Sequence, residues 1–119
     1  MLDHVTIAVS DFALSRTFYD AALAPLGITR LYADGANAAG YGKGSKAFFW
    51  IAEQDGAPSQ AHFAFQASQS AHVEAFYTAA LAHGGRDNGR PGYRPQYHDH
   101  YYAAFVLDPD GNNIEAVIQ

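Results

Sequence analysis

FYDAALAPLG (residues 18–27) and FYTAALAHGG (residues 76–85) are nearly the same ten residues written twice, 58 positions apart. Extended without a gap, residues 3–27 fall on 61–85 with ten identities in 25, where unrelated stretches would share about two. Alanine contributes to the score, but His4/His62, Phe18/Phe76, Tyr19/Tyr77, Leu23/Leu81 and Gly27/Gly85 are not alanine pairs. An offset near half of the 119 residues marks a repeated module rather than a short solenoid unit. The chain therefore divides into residues 1–56 and 57–119, two modules of a single domain, since neither half is long enough to bury a comfortable core alone.

Each module opens with a strand. In LDHVTIAVS (2–10), Val5, Ile7 and Val9 alternate with His4, Thr6 and Ala8, the two-residue period of a strand with one apolar face. Ser10 or Asp11 then caps a helix carrying Leu14, Phe18, Ala21 and Ala22, which Pro25 and Gly27 end. Strands are expected at 28–34, 37–44 and 46–53, separated by Gly35, Gly44 and Ser45. The second module repeats the pattern with a strand at 60–68, a helix at about 69–83, and strands at 102–108 and 112–119 around the turn Asp108-Pro109-Asp110-Gly111. Between them, RDNGRPGYRPQYHDHY (86–101) has two prolines and two glycines and reads mainly as a loop, with at most one short strand. The fold class is α+β: two tandem βαβββ modules forming a curved mixed sheet around a cavity.

Composition narrows the function classes. The formal charge of −5 opposes binding to nucleic acid or an anionic membrane. No apolar run approaches the ~20 residues of a membrane span, and MLDHVTIAVS lacks the basic region of a secretory signal. With no cysteine, disulfides and zinc–thiolate sites are excluded, and the cytoplasm is the expected location. A small-molecule partner is expected.

The polar residues on the strands carry the chemistry. His4 and Thr6 share a face, as do His62 and Gln66, and Asn113 and Glu115; the opposite faces are apolar. A sheet packed under helices by its apolar face would aim His4, His62 and Glu115 into one cavity, a two-imidazole, one-carboxylate set able to hold a divalent metal with positions open for substrate. Imidazole plus carboxylate suits Fe, Mn, Ni, Co or Zn. Aligning the last strand of each module sets Trp50 opposite Glu115 across the internal symmetry, and indole nitrogen is a donor only, unable to ligate metal.

The duplicated βαβββ units, the histidine opening each, FY-x-x-x-L-x-x-x-G closing each helix and D-P-D-G-N-x-I-E near the end together resemble the vicinal oxygen chelate superfamily of glyoxalase I, extradiol dioxygenases and bleomycin-resistance proteins. The resemblance implies metal ligands at His4, His62 and Glu115, and a homodimer, because small members commonly complete their cavities across a subunit interface. Trp50 stands where glyoxalase I-like members supply a fourth ligand, so the pattern is closer to the two-His-one-Glu site of extradiol dioxygenases.

Around such a site, HDHYY (98–102) offers His98, His100, Tyr101 and Tyr102 for acid–base work, with His98, His100 and Tyr102 as the catalytic candidates. Arg90 and Arg94 can steer an anionic group, and Trp50, Phe48 and Tyr41 offer an apolar wall for substrate. The expected function is a divalent-metal-dependent lyase, isomerase or dioxygenase acting on a small oxygen-chelating substrate. The alternative is a non-catalytic small-molecule or antibiotic-binding protein of bleomycin-resistance type, in which the same cavity sequesters its ligand.

Overall fold

Strand β1 (Val5–Val9) buries Ile7 and Val9 and leaves Thr6 exposed, as its alternation requires. Helix α1 (Phe12–Leu23) begins where the Asp11 carboxylate accepts the Leu14 N–H at 3.2 Å. It ends in a single 3-10 turn (Ala24–Leu26) closed by Gly27 at φ +78, a left-handed position that suits glycine. Strands β2 (Thr29–Asp34), β3 (Ala38–Lys43) and β4 (Lys46–Glu53) complete the first module. The second runs β5 (His62–Gln66), α2 (Ser70–Ala82), β6 (Arg86–Tyr93), β7 (Tyr102–Leu107) and β8 (Asn113–Ile118). The computed structural model describes all 119 residues.

Each module forms its own four-stranded mixed sheet, ordered β1-β4-β3-β2 and β5-β8-β7-β6. The first strand pairs in parallel with the fourth, and the remaining pairs are antiparallel. The apolar stripes of α1 and α2 pack on each other and on the sheets, so the helices lie between the two sheets. One core of 22 buried residues draws Phe18, Tyr19 and Phe49 from the first module and Phe65, Phe76 and Ile114 from the second. Phe49 on β4 meets Phe63 and Phe65 on β5 edge-on, with ring centroids 5.6 and 5.2 Å away. The modules are thus interdependent, as their lengths require. Neither helix is long and apolar enough to cross a membrane.

Residues 86–101 carry more strand than the sequence suggests. Strand β6 spans eight residues against β7. Its register shifts between Asp87 and Gly89 and again between Gly89 and Gly92, so Pro91, which has no N–H to give, falls where the ladder is interrupted. Prolines and glycines hide the strand from periodicity because the bulges accommodate them. Residues 94–101 remain turns, with Arg94 N–H bonded to Tyr101 O at 2.7 Å.

The turn before β8 is fixed by a buried carboxylate. Asp108 accepts the Tyr19 hydroxyl at 2.5 Å, the Asn112 N–H at 2.8 Å, the Asn112 side-chain amide at 2.9 Å and the Asp110 N–H at 3.0 Å. Asn112 Oδ1 in turn accepts the Ala61 N–H at 2.9 Å, so the turn sets where β5 begins. The motif is structural, and it links α1 to the strand carrying Glu115.

Candidate functional site

Strand register makes the internal symmetry concrete. Thr6 pairs with Trp50 in the first sheet and Ala64 with Glu115 in the second, while Gly40 faces Trp50 and Phe105 faces Glu115. Trp50 and Glu115 therefore occupy equivalent positions of the two sheets, as the alignment of the last strands predicts.

In the second module, Glu115 is 2% exposed and forms the floor of a cleft of about 430 Å³ lined by His62, Tyr97, His98, Tyr101, Phe105 and Asn113. One carboxylate oxygen accepts the Tyr101 hydroxyl. The other lies 3.1 Å from His62 Nε2. His62 Nδ1 is 3.0 Å from the Asn113 carbonyl, which can only accept, so that nitrogen carries a proton while Nε2 faces the Glu115 carboxylate. Asn113 also has a buried Oδ1 that accepts no hydrogen bond. Burial and the Glu115 carboxylate push the Tyr101 phenol up to about 12, so it is a donor at neutral pH. His98 Nδ1 accepts the His100 N–H at 3.1 Å, which puts the neutral ring's proton on Nε2.

His62 is braced on one face. Phe105 lies 6.2 Å from it at 22°, and the Arg94 guanidinium sits 5.4 Å from the Phe105 centroid while donating to Gly92 O and Arg90 O, each at 2.7 Å.

In the first module, His4 is half-exposed and its Nδ1 lies 2.7 Å from Asp3 Oδ1, freeing Nε2. Asp3 also accepts Lys46 Nζ at 2.5 Å, and that hydrogen bond, followed by the one from His4, holds its carboxyl below the usual range. His4, Asp3, Lys46, Tyr32 and Trp50 share a cleft of about 340 Å³. Below the β1 edge a more apolar cleft of about 440 Å³ runs between His4, Phe48, Phe49 and residues 63–66 of β5.

The single cavity expected from sequence is divided. His4 lines clefts distinct from the one that holds His62 and Glu115, and no three His, Asp or Glu side chains of one chain gather where a metal could sit. His62 begins β5 and His4 immediately precedes β1, edge strands of different sheets, and although one cleft bridges those strands the two imidazoles open into different clefts.

The remaining candidates separate in the same way. His98 and Trp50 line clefts, Phe48 lines the apolar one, and Arg94 braces Phe105. Tyr41 is fully buried, its hydroxyl donating to Asp20 at 2.9 Å, and is a core residue rather than a cavity wall. The Tyr102 hydroxyl donates to Glu74 of α2 at 2.7 Å, on the helical side of its sheet. Arg90 lies near the Tyr77–Asp87 pair on that side. His100 is exposed and offers its backbone to His98. Tyr32 and the orphan acceptor of Asn113 had no sequence signal beyond strand alternation.

The fit of a metal can be tested on these atoms. His62 Nε2 and Glu115 Oε1 stand about as far apart as adjacent ligands on a metal, ~3.0 Å for bonds of about 2.1 Å at right angles. Both histidines tether Nδ1 to an oxygen acceptor, the arrangement that orients ligating imidazoles. The second-module cleft fits two ligands, with the Asn113 oxygen nearby and without a donor.

The profile of the Glyoxalase/Bleomycin resistance protein/Dioxygenase superfamily matches residues 1–116. The chain belongs to this superfamily. A superfamily structure, a glyoxalase/bleomycin resistance protein from Albidiferax ferrireducens T118, is 32% identical with a TM-score of 0.86, covering 100% of this chain and 99% of that one. A V278E glyoxalase I mutant from Zea mays is 26% identical over 96% of this chain and 44% of its own, with a TM-score of 0.72. Lactoylglutathione lyase from Agrobacterium tumefaciens, at 18% identity and a TM-score of 0.68 over 98% of this chain and 92% of its own, shares the fold. No curated protein matches the sequence.

Proposed function

We propose that the protein is a divalent-metal-dependent enzyme of the glyoxalase/dioxygenase superfamily acting on a small oxygen-chelating substrate, its site completed between two copies of the chain. His62 and Glu115 of one copy and His4 of the other are the ligands in this reading. The observation that carries it is the paired arrangement of His62 Nε2 and Glu115 Oε1 at 3.1 Å, with both histidines tethered through Nδ1.

A divalent cation held there would supply Lewis acidity to neighbouring substrate oxygens. Tyr101 keeps Glu115 in one orientation by donating to its second oxygen. His98 presents an Nε2 proton to the same cleft and can donate it to an oxygen gaining charge, while His62 keeps its own proton on Nδ1, bound to Asn113. Phe105 shields one face of His62 from water. The cytoplasm is the proposed location. Fe, Mn, Ni, Co and Zn all suit this donor set.

A second reading, a binding protein without chemistry, draws on the half-exposed Trp50 at the position equivalent to Glu115. Metal content separates the two. Plasma mass spectrometry of untagged protein should find a stoichiometric divalent metal, lost in each of His4→Ala, His62→Ala and Glu115→Ala. A metal-free protein that stays metal-free after reconstitution would leave the binding-protein reading.

A further inference from the structure

The first-module cleft holds an aromatic surface where the second module holds its carboxylate. The Trp50 ring lies flat over Gly40, the residue opposite it on β3: a Cβ added at Gly40 would stand 2.8 Å from three atoms of the indole. No other residue leaves room for that ring position, since real Cβ contacts are essentially never so short. Tyr32, from β2, stacks with it, the two rings parallel to within 11° and their centroids 6.0 Å apart, and its hydroxyl reaches Ser45 O at 3.3 Å. Tyr32 is 51% exposed and Trp50 half-buried. Two parallel, stacked rings therefore line the cleft that His4 also lines.

We infer that Trp50 and Tyr32 form a stacking platform that selects substrates bearing a planar aryl group beside their chelating oxygens. An aryl ring laid against the exposed face of this pair extends the stack, and the oxygens it carries then lie in the cleft that His4 also lines. The Asp3–Lys46 pair at the polar side of the cleft is internally neutralised, so the ring is recognised by shape and stacking rather than by charge. The inference rests on the metal-site reading for the oxygens and on the platform alone for the ring.

The test uses a matched series in which the chelating hydroxy acid is constant: lactate, mandelate and hexahydromandelate, titrated calorimetrically into the manganese-supplemented protein. Mandelate should bind about two- to tenfold more tightly than hexahydromandelate, and at least that much more tightly than lactate, because stacking adds to burial. Trp50→Leu should erase the preference and Trp50→Phe should retain it, the second variant guarding against a general loss of folding. Mandelate should also quench the fluorescence of Trp50, the only tryptophan. Equal affinity for mandelate and hexahydromandelate, a preference that survives Trp50→Leu, or no mandelate binding by wild type would overturn the platform. His62→Ala reports on the other premise: a mandelate preference undiminished in that variant leaves the platform standing and removes the metal.

Discussion

Trp50 and Glu115 stand at one register of two sheets built from a repeated unit, yet their surroundings have diverged. Trp50 lies open on a glycine; Glu115 is sealed under His62, Tyr101 and Phe105. A carboxylate so deeply placed needs donors, because leaving one unpaired costs about 1–3 kcal/mol or more. Tyr101→Phe removes the hydroxyl that serves Glu115, so its urea midpoint at neutral pH should fall by the equivalent of about 1–3 kcal/mol. The same residue predicts a pH dependence. Its phenol titrates near 10 when unfolded and near 12 when folded, so folding favours the protonated form. That stabilisation is complete below pH 10 and lost as pH rises through 12. Urea unfolding across this window should show a shallower alkaline loss for Tyr101→Phe than for wild type; identical slopes would separate Tyr101 from Glu115.

Among the elements, the Asp108–Asn112 turn does more than reverse the chain. Its carboxylate joins α1 through Tyr19 and, through Asn112, holds Ala61 at the start of β5. Asp108→Ala strands the Tyr19 hydroxyl and the turn amides in a buried place and should destabilise the protein by about 3 kcal/mol, read from thermal or urea unfolding. The same variant should lower metal retention, since β5 carries His62 and β8 carries Glu115.

Elements with regular apolar alternation or helical spacing were legible in the sequence: β1, β5, both helices, and the equivalence of Trp50 with Glu115. Strand β6 was not, because its bulges place Gly89 and Pro91 in a ladder that periodicity reads as a loop. Side-chain direction was the second blind spot. Tyr101 and Tyr102 are adjacent, and a shift of one residue sends one hydroxyl to Glu115 and the other to Glu74 on the helical side. Tyr41 shows the same limit, since alternation gives two faces but not which of them a bulged strand turns to the core.

The whole molecule explains why the two histidines do not meet. His4 opens into clefts separate from the one that holds His62 and Glu115, and β1 and β5 each have one edge without a strand partner. A metal site that needs His4 with His62 and Glu115 must then draw on two copies. Co-expression of His4→Ala chains with Glu115→Ala chains, each carrying a different affinity tag, tests this most directly. In the purified mixed dimer one site combines both substitutions and the other keeps His4 from one chain with His62 and Glu115 from its partner. The account predicts half the wild-type metal content in the mixed dimer and none in either parent. Mixed dimers as metal-free as their parents would contradict it.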